Sequence, residues 1–281
     1  MNISVIIPTY NRASTIVRAI DSVLQQTHAP IEIIVIDDGS SDNTREILAA
    51  YGLNIRYLYQ DNRGVSSARN TGIAASCGDW IALFDSDDAW APSKLMRQCE
   101  ALRQHPGIPL CHTNEIWYRQ GTRVNPMNKH QKHDGAIFSH CLPLCCISPS
   151  SAVISREWLH AAGGFDESLP ACEDYDLWLR LCATHPVKLV DAPLTIKYGG
   201  HADQLSRAYW GMDRFRVQAL IKLLCQHPLS AEQQQQTLTT LSQKMSVLKK
   251  GAIKHGNSTL LDQLKAYESR LDRRLPPVSI R

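Results

Sequence analysis

Three aspartates within four positions directly follow an apolar stretch of the sequence. Asp85, Asp87 and Asp88 come after the segment WIALF (80–84). Carboxylates this close repel one another, and they are costly to keep ionised near low-dielectric protein unless a cation compensates them. Divalent Mg²⁺ and Mn²⁺ prefer oxygen ligands, and Mg²⁺ typically combines one or two carboxylates with substrate phosphates. The cluster therefore predicts a Mn²⁺ or Mg²⁺ site whose remaining ligands come from a diphosphate.

A second pair of acids, Asp37 and Asp38, stands before Gly39 and Ser40. Acids at a strand end often form only a turn, in which glycine tolerates a positive φ. Response-regulator receiver domains also place paired acids at strand ends to hold magnesium, but such a domain needs only about 120 residues. That interpretation leaves the second acidic cluster and more than half of the chain unexplained.

The segment EDYDLWLRLC (173–182) is predicted to form a helix that begins with acids. Helical spacing places Asp174 at the head of an apolar stripe that includes Trp178. A carboxylate there either only interacts with the helix dipole, which favours its ionised form, or serves as a general base. Asp176 shares a side with Arg180, and the spacing predicts a surface ion pair of little energetic value.

The elements that position these acids follow from the pattern of the whole chain. Short β-branched runs alternate with helical patterns, which predicts an α/β fold with a mainly parallel twisted sheet flanked by helices. Three predicted strands end in polar clusters, at 8–11, 37–40 and 85–88. Ligands of open parallel sheets bind beyond the carboxyl ends of the strands, so these clusters should share one rim. Asn11 is predicted to cap the first helix.

Helical patterns continue to the end of the chain, and we expect a main domain over residues 1–205 and a helical carboxyl-terminal extension over 206–281. Segment 244–281 carries nine Lys and Arg residues against three acids. Such a segment would suit anionic lipid at the inner face of a membrane, a phosphorylated acceptor or a homodimer contact. A plain solvated helix face is the alternative.

Composition narrows the class of protein. The chain is 43% hydrophobic and 20% charged, as soluble globular proteins are. No apolar run reaches the roughly 18 residues that span a bilayer, and no signal-peptide layout opens the chain, so a cytoplasmic location is expected. Nucleic acid is not expected as a partner, and no P-loop or dinucleotide-binding glycine motif occurs. The nine cysteines lack a C-x-x-C pair, and Cys141, Cys145 and Cys146 are expected to be buried hydrophobes rather than metal ligands.

Five blocks of sequence occur in a specific order: SVIIPTYNR, IIVIDDGSSDNT, NRGVSSARNTGI, WIALFDSDDAWAPSKL and GGFDESLPACEDYDLWLRL. In this order and spacing the chain resembles the family 2 glycosyltransferases, which are inverting enzymes of the GT-A fold. The resemblance covers roughly residues 1–205 and does not extend to the helical end.

The resemblance implies transfer of a sugar from a nucleotide sugar, most often a UDP-sugar, to a hydroxyl of a glycan or lipid-linked acceptor in cell-surface glycan synthesis. The positions that match nucleotide-contacting residues of the family are Pro8, Thr9, Tyr10, Asp38, Arg69 and Asp85. Asp87 matches the metal ligand of the D-x-D motif, and His201 lies where some relatives place a histidine near the metal. Asp174 matches the catalytic base.

Two alternatives remain from the sequence. A nucleotide-sugar-binding module without catalysis would keep the acidic cluster and lose the acceptor chemistry. A sugar nucleotidyltransferase would also use a parallel sheet and metal-binding acids, but it needs a glycine-rich, basic loop after the first strand. The segment PTYNRAST (8–15) lacks these glycines.

Overall fold

Nine strands form one sheet in the computed structural model, which describes residues 1–200 and 209–274. The strands are β1 (Ile3–Thr9), β2 (Glu32–Asp38), β3 (Arg56–Gln60), β4 (Trp80–Leu83), β5 (Ala89–Trp90), β6 (Leu110–Arg119), β7 (Thr122–Val124), β8 (Val153–Ser155) and β9 (Lys188–Gly199). Their order is β3-β2-β1-β4-β8-β6-β9-β5, and β7 pairs with β6. Strands β1 to β4 are parallel, as the alternating pattern predicts, whereas β8 pairs antiparallel with β4 and β6.

Helices cover both faces of this sheet and continue into the carboxyl-terminal part. They are α1 (Ile16–Leu24), α2 (Thr44–Ala49), α3 (Val65–Ala75), α4 (Lys94–Gln104), α5 (Phe138–Cys141), α6 (Arg156–Ala161), α7 (Glu173–Cys182), α8 (Asp213–Gln226), α9 (Ala231–Lys254) and α10 (Ser258–Arg274). The α/β prediction is confirmed, and the mixed strand directions beyond β4 are an addition to it.

Strand β1 divides the core into two layers because its side chains alternate between the faces of the sheet. Ile3, Val5 and Ile7 join one hydrophobic cluster with α1, and Ile6 joins the other, which contains α7. Helix α3 lies very close to the second face. A β-carbon on its Gly72 would stand 2.5 Å from Ile6 Cγ2 and 2.6 Å from Ile36 Cδ1, which explains why this helix is built from small residues.

The first helix begins later than predicted, and Asn11 does not cap it. Helix α1 starts at Ile16, while Asn11 adopts a left-handed φ of 52°. Its backbone N–H donates to Ser40 Oγ at 2.8 Å, and its Oδ1 accepts from the N–H of Ser41 at 2.8 Å. The asparagine therefore ties the loop after β1 to the loop after β2, which brings two of the three polar clusters together.

The carboxyl-terminal helices pack against the sheet domain through α7. Buried side chains of α8, α9 and α10 belong to the same hydrophobic cluster as Trp178. Helix α9 begins with a capping box between Ser230 and Gln233. The predicted domain boundary at residue 205 falls outside the described residues and stays a prediction. None of the helices in residues 1–200 and 209–274 combines the length and apolarity that a bilayer-spanning helix needs.

The prediction of a surface ion pair between Asp176 and Arg180 is wrong. Asp176 is 2% exposed and Arg180 is 7% exposed, and their side chains meet at 2.8 Å. Lys222 of α8 also contacts Asp176 at 3.0 Å, while Arg180 donates to the carbonyl of Ala162 at 2.7 Å. Helix α8 covers this side of α7, and the helical pattern of α7 alone gives no sign of that cover.

This buried network leads to a stability prediction. We expect Asp176→Ala to lower the free energy of unfolding by about 3–5 kcal/mol, because the buried Arg180 would keep its charge without a carboxylate partner, while Lys222 would keep its contact with Asp166. The measurement is urea unfolding followed by circular dichroism. Asp262→Ala is the matched control, since Asp262 pairs with Lys265 on the surface at 3.3 Å, where exposed pairs contribute about 0–1 kcal/mol. Equal losses in the two variants would contradict the assignment of a buried network.

Candidate active site

The carboxyl ends of β1, β2 and β4 meet at one edge of the sheet. Thr9 is the register neighbour of Asp37, and the N–H of Phe84 donates to the carbonyl of Ile6 at 3.0 Å. The predicted convergence of the three polar clusters at this edge is therefore observed. We call Asp85, Asp87 and Asp88, which follow β4, the acidic rim.

The residues after β1 offer one aromatic surface and one buried hydroxyl. Tyr10 is 48% exposed, and Thr9 is 2% exposed. The Oγ1 of Thr9 has no hydrogen-bond partner among the residues that the structure describes. An exposed ring suits stacking on a base, and buried hydroxyls usually have partners. The contacts of Pro8, Thr9 and Tyr10 with a nucleotide stay predictions.

Asp38 is buried at the end of β2 and held by a loop that folds over it. Its Oδ1 accepts from Gln60 Nε2 at 2.6 Å and from the N–H of Arg63 at 3.0 Å. Its Oδ2 accepts from the N–H of Gly64 at 2.8 Å. These donors fix the carboxylate at the end of β2, and its contact with a uracil ring stays a prediction.

Arg69 of α3 links the acidic rim to the start of α7. Its guanidinium, 3% exposed, donates to Asp85 Oδ1 at 2.8 Å and to Glu173 Oε1 at 2.5 Å. Burial alone would raise the pKa of Asp85, but the nearby charges of Arg69 and Lys197 lower it below its usual value. Burial and the neighbouring Asp174 raise the pKa of Glu173 to about 7, although Arg69 acts in the opposite direction. The direct contact of Arg69 with a nucleotide stays a prediction.

Asp174 is the one residue of α7 that is not buried. The turn before it is strained, because Cys172 adopts a left-handed φ of 62° directly before the helix. Asp174 Oδ1 accepts from the N–H of Tyr175 at 2.7 Å, and Oδ2 accepts from the thiol of Cys145 at 3.2 Å. An oriented carboxylate that reaches solvent at a helix start can accept a proton from a bound hydroxyl.

Asp87 of the acidic rim lies on the wall of an open cavity. Arg18, Tyr118 and Tyr198 also line this cavity, which reaches Gly200. The guanidinium of Arg18 stacks 3.7 Å from the ring centroid of Tyr198 and donates to the backbone carbonyl of Asp87 at 2.5 Å. The cavity therefore combines a carboxylate, a cation and aromatic surface. His201, which follows Gly200, lies outside the described residues.

The donor set of this region fits a hard divalent cation that brings further ligands with it. Within residues 1–200 and 209–274, no group of three or more His, Cys, Asp and Glu side chains is arranged to hold a metal by itself. Among the described residues, Arg69 contacts Asp85, and Lys197 contacts both Asp85 and Asp88. Mg²⁺ sites of this type use one or two carboxylates plus substrate phosphates.

Three neighbours of these acids were not predicted from the sequence. Ser150 donates to Asp88 Oδ2 at 2.6 Å, Lys197 contacts the same oxygen at 3.1 Å, and Cys145 contacts Asp174. The expectation for the cysteines agrees with the structure for Cys141 and Cys146, which are buried with their sulfurs 3.1 Å apart. Cys145 is only half-buried. The only sign of Lys197 in the sequence is that it is a lysine near the end of a strand, which is a weak indication of a role at the site.

The fold is a mixed α/β sheet flanked by helices, with acidic side chains at the carboxyl ends of its parallel strands. The family model for glycosyl transferase family 2 matches residues 4–162, more than half of the chain. The chain belongs to this family, and its fold is that of the GT-A glycosyltransferases.

Two curated relatives show the range of the family. An uncharacterised glycosyltransferase of Rickettsia conorii is 34% identical over 219 residues, which cover 73% of this chain and 35% of the relative. The Escherichia coli UDP-Glc:α-D-GlcNAc-diphosphoundecaprenol β-1,3-glucosyltransferase WfgD is 32% identical over 191 residues, 67% of this chain and 73% of that protein. The chain spans about a third of the length of three rickettsial relatives, those of Rickettsia conorii, Rickettsia felis and Rickettsia bellii.

Solved structures share the fold at low sequence identity. S. aureus TarS 1-349 in complex with UDP-GlcNAc has a TM-score of 0.68 and 19% identity, and the match covers 87% of this chain and 72% of that one. The mannosyltransferase PcManGT from Pyrobaculum calidifontis, in complex with GDP-Man and Mn²⁺, has a TM-score of 0.63 and 16% identity, with coverage of 96% and 85%.

Proposed function

We propose that this chain is an inverting, metal-dependent glycosyltransferase that moves a sugar from a UDP-sugar to an acceptor hydroxyl. The contact of Arg69 with both Asp85 and Glu173 carries the proposal. Through this one buried side chain, the acids proposed to hold the donor and the helix proposed to supply the base have a fixed relation. The activity in the name of WfgD and the UDP-GlcNAc bound to TarS support a UDP-sugar as donor.

In the proposed donor complex, the uracil and ribose lie against Pro8, Thr9, Tyr10 and Asp38, with the ribose near Asp85. Asp87, with His201 as a second candidate, would hold Mn²⁺ or Mg²⁺. When bound, that cation would offset the negative charge that develops on the departing diphosphate. The Mn²⁺ in the PcManGT complex supports a divalent cation here.

In the proposed reaction the acceptor hydroxyl attacks the anomeric carbon from the side opposite the diphosphate. A carbon–oxygen bond to the acceptor forms as the bond to the diphosphate breaks, so the centre inverts. Asp174 takes the hydroxyl proton, and the contacts of its two oxygens hold it in one orientation. Positioning of donor and acceptor would supply much of the remaining rate enhancement.

A panel of nucleotide sugars tests this function. Thermal shift with and without Mn²⁺ identifies the donor, since a ligand that binds only the folded state raises the apparent stability. UDP release with candidate acceptors, or slow donor hydrolysis without them, then separates an enzyme from a binding module without catalysis. The partly exposed carboxylate of Asp174 favours the enzyme, because a binding module needs no base at this position. The proposal would be contradicted if none of the UDP-sugars raised the apparent stability of the protein.

The thiol of Cys145 provides a prediction on the proposed base. We expect Cys145→Ala to lower kcat by up to about tenfold with unchanged UDP affinity, because Asp174 loses a hydrogen bond that orients it. Steady-state kinetics and calorimetry measure the two quantities. Cys225→Ala on α8 is the matched control, and equal kcat values in the two variants would show that the thiol has no part in the reaction.

We further propose a lipid-linked glycan as acceptor and peripheral contact with the inner face of the cytoplasmic membrane. The diphosphoundecaprenol in the name of WfgD supports such an acceptor. Lys249, Lys250 and Lys254 on α9 are exposed, and Ile253 between them is 63% exposed. No acid occurs from residue 233 to residue 261. This face of α9 therefore has the charge and the apolar surface that suit anionic lipid.

Vesicle binding tests the membrane contact. We expect the chain to sediment with vesicles containing phosphatidylglycerol at low salt, and the triple change of Lys249, Lys250 and Lys254 to Gln to weaken binding about 100-fold, at roughly 1 kcal/mol for each lysine. There are two controls. One uses vesicles of phosphatidylcholine alone, and the other uses salt on the order of 0.5 M, at which screening removes the attraction between surface charges. Equal sedimentation of the triple variant and the wild type would contradict the membrane contact. Light scattering without lipid separately tests for a homodimer.

A further inference from the structure

Lys197 of β9 lies among the carboxylates of the acidic rim. The antiparallel pairing of Ala89 with Ile196 brings the preceding residue, Asp88, beside the following residue, Lys197. The ammonium lies 3.1 Å from Asp88 Oδ2 and 3.8 Å from Asp85 Oδ2, and its side chain is 28% exposed. The backbone of the sheet therefore fixes a positive charge at the predicted metal site.

Three groups of the described residues contact the buried carboxylate of Asp88. Asp88 is 1% exposed, accepts from Ser150 Oγ at 2.6 Å and from the N–H of Tyr198 at 3.2 Å, and faces the ammonium. The Lys197 ammonium forms ion pairs with Asp88 and Asp85, and opposite charges this close favour its charged form. A charged lysine here attracts anions and repels a divalent cation at the same place.

We propose that Lys197 is a tethered cation of the acidic rim that weakens the binding of a free divalent cation and strengthens the binding of the nucleotide diphosphate. The proposal rests on the proposed function for the identity of these two ligands. Lys197 is then a positioning residue, because it would hold the acidic rim and the diphosphate and would not act on the reacting carbon.

Lys197→Met separates this role from a structural one, because the two probes should respond in opposite directions. The variant should bind Mn²⁺ about tenfold more tightly in the absence of nucleotide, since a repelling charge near the site is gone. It should bind UDP without metal several-fold more weakly. Free Mn²⁺ is measured by electron paramagnetic resonance, and UDP binding in EDTA by calorimetry. A merely structural lysine would weaken both.

Three further variants complete the test. Lys197→Gln repeats the charge removal in case the Met variant does not fold, and Lys197→Arg keeps the charge and should resemble the wild type. Lys188→Met is the matched control, since Lys188 belongs to the same strand and pairs with Asp134 at 2.8 Å.

Unchanged Mn²⁺ affinity in Lys197→Met or Lys197→Gln, or a parallel loss of both ligands, overturns the inference. These outcomes differ from a failure of the proposed function. If wild-type protein with Mn²⁺ does not bind UDP, the function fails, while the Mn²⁺ titration still reports the effect of Lys197 on the rim.

Discussion

We expect Asp174→Asn to lower kcat by about 10²–10⁴-fold while leaving the affinity for UDP nearly unchanged. The amide keeps the size of the side chain and its place at the start of α7, but it cannot take the proton of the acceptor hydroxyl. The amide oxygen can still accept from the N–H of Tyr175, and the amide nitrogen can donate weakly to the sulfur of Cys145, so the local geometry should survive. Steady-state transfer kinetics and calorimetric titration with UDP measure the two effects.

Asp262→Asn, on the exposed face of α10, is the control for an Asp-to-Asn change without a role in the reaction. Turnover of Asp174→Asn at the wild-type rate would show that another group acts as the base. A matching loss of UDP affinity would show that Asp174 belongs to the donor site instead.

The second large effect is expected for Asp87→Ala, which should weaken UDP binding in the presence of Mn²⁺ about 100-fold and lower transfer accordingly. The change removes a proposed metal ligand and keeps the backbone carbonyl that accepts from Arg18. Divalent cations of this kind commonly bind through only one or two carboxylates, so the loss of one should be severe. Calorimetry with UDP, with Mn²⁺ and with EDTA, measures the effect.

Uridine provides the internal control for Asp87→Ala, because it keeps the base and ribose but lacks the diphosphate. Its affinity should be the same in wild type and variant. A variant that binds UDP with Mn²⁺ as tightly as the wild type would exclude Asp87 as a metal ligand, and an equal loss of uridine binding would indicate damage to the β1 and β2 loops.

Much of the fold was predictable because it depends on local pattern. Burial of a strand or helix leaves a pattern in its own sequence, as in the β-branched runs of β1, β2 and β4 and the helical periodicity of α1 and α7. The right-handed βαβ rule then leaves few arrangements for consecutive parallel strands. The meeting of Asp38, Asp85 and the β1 loop at one edge follows from that arrangement alone. The resemblance of the quoted motifs to the family then predicted the roles of Asp87 and Asp174.

The features that were missed depend on contacts between distant parts of the chain. Asp176 looks like a surface acid on the helical pattern of α7, and only the packing of α8 buries it. Lys197 comes beside Asp88 through the register of β5 with β9, more than a hundred residues apart in sequence. Strand register and helix packing between such distant segments produce no periodic pattern in the sequence, so these contacts could not be predicted from it.

An anomalous difference map at the manganese edge, collected from crystals soaked with UDP and Mn²⁺, would locate the metal relative to Asp87 and Asp174. We expect one strong peak at bonding distance from a carboxylate oxygen of Asp87 and from the diphosphate, with the carboxylate of Asp174 apart from it and facing the cleft. Clear density for UDP with no manganese peak beside Asp87, or with manganese bound by Asp174, would rule out the separate roles proposed for these two aspartates.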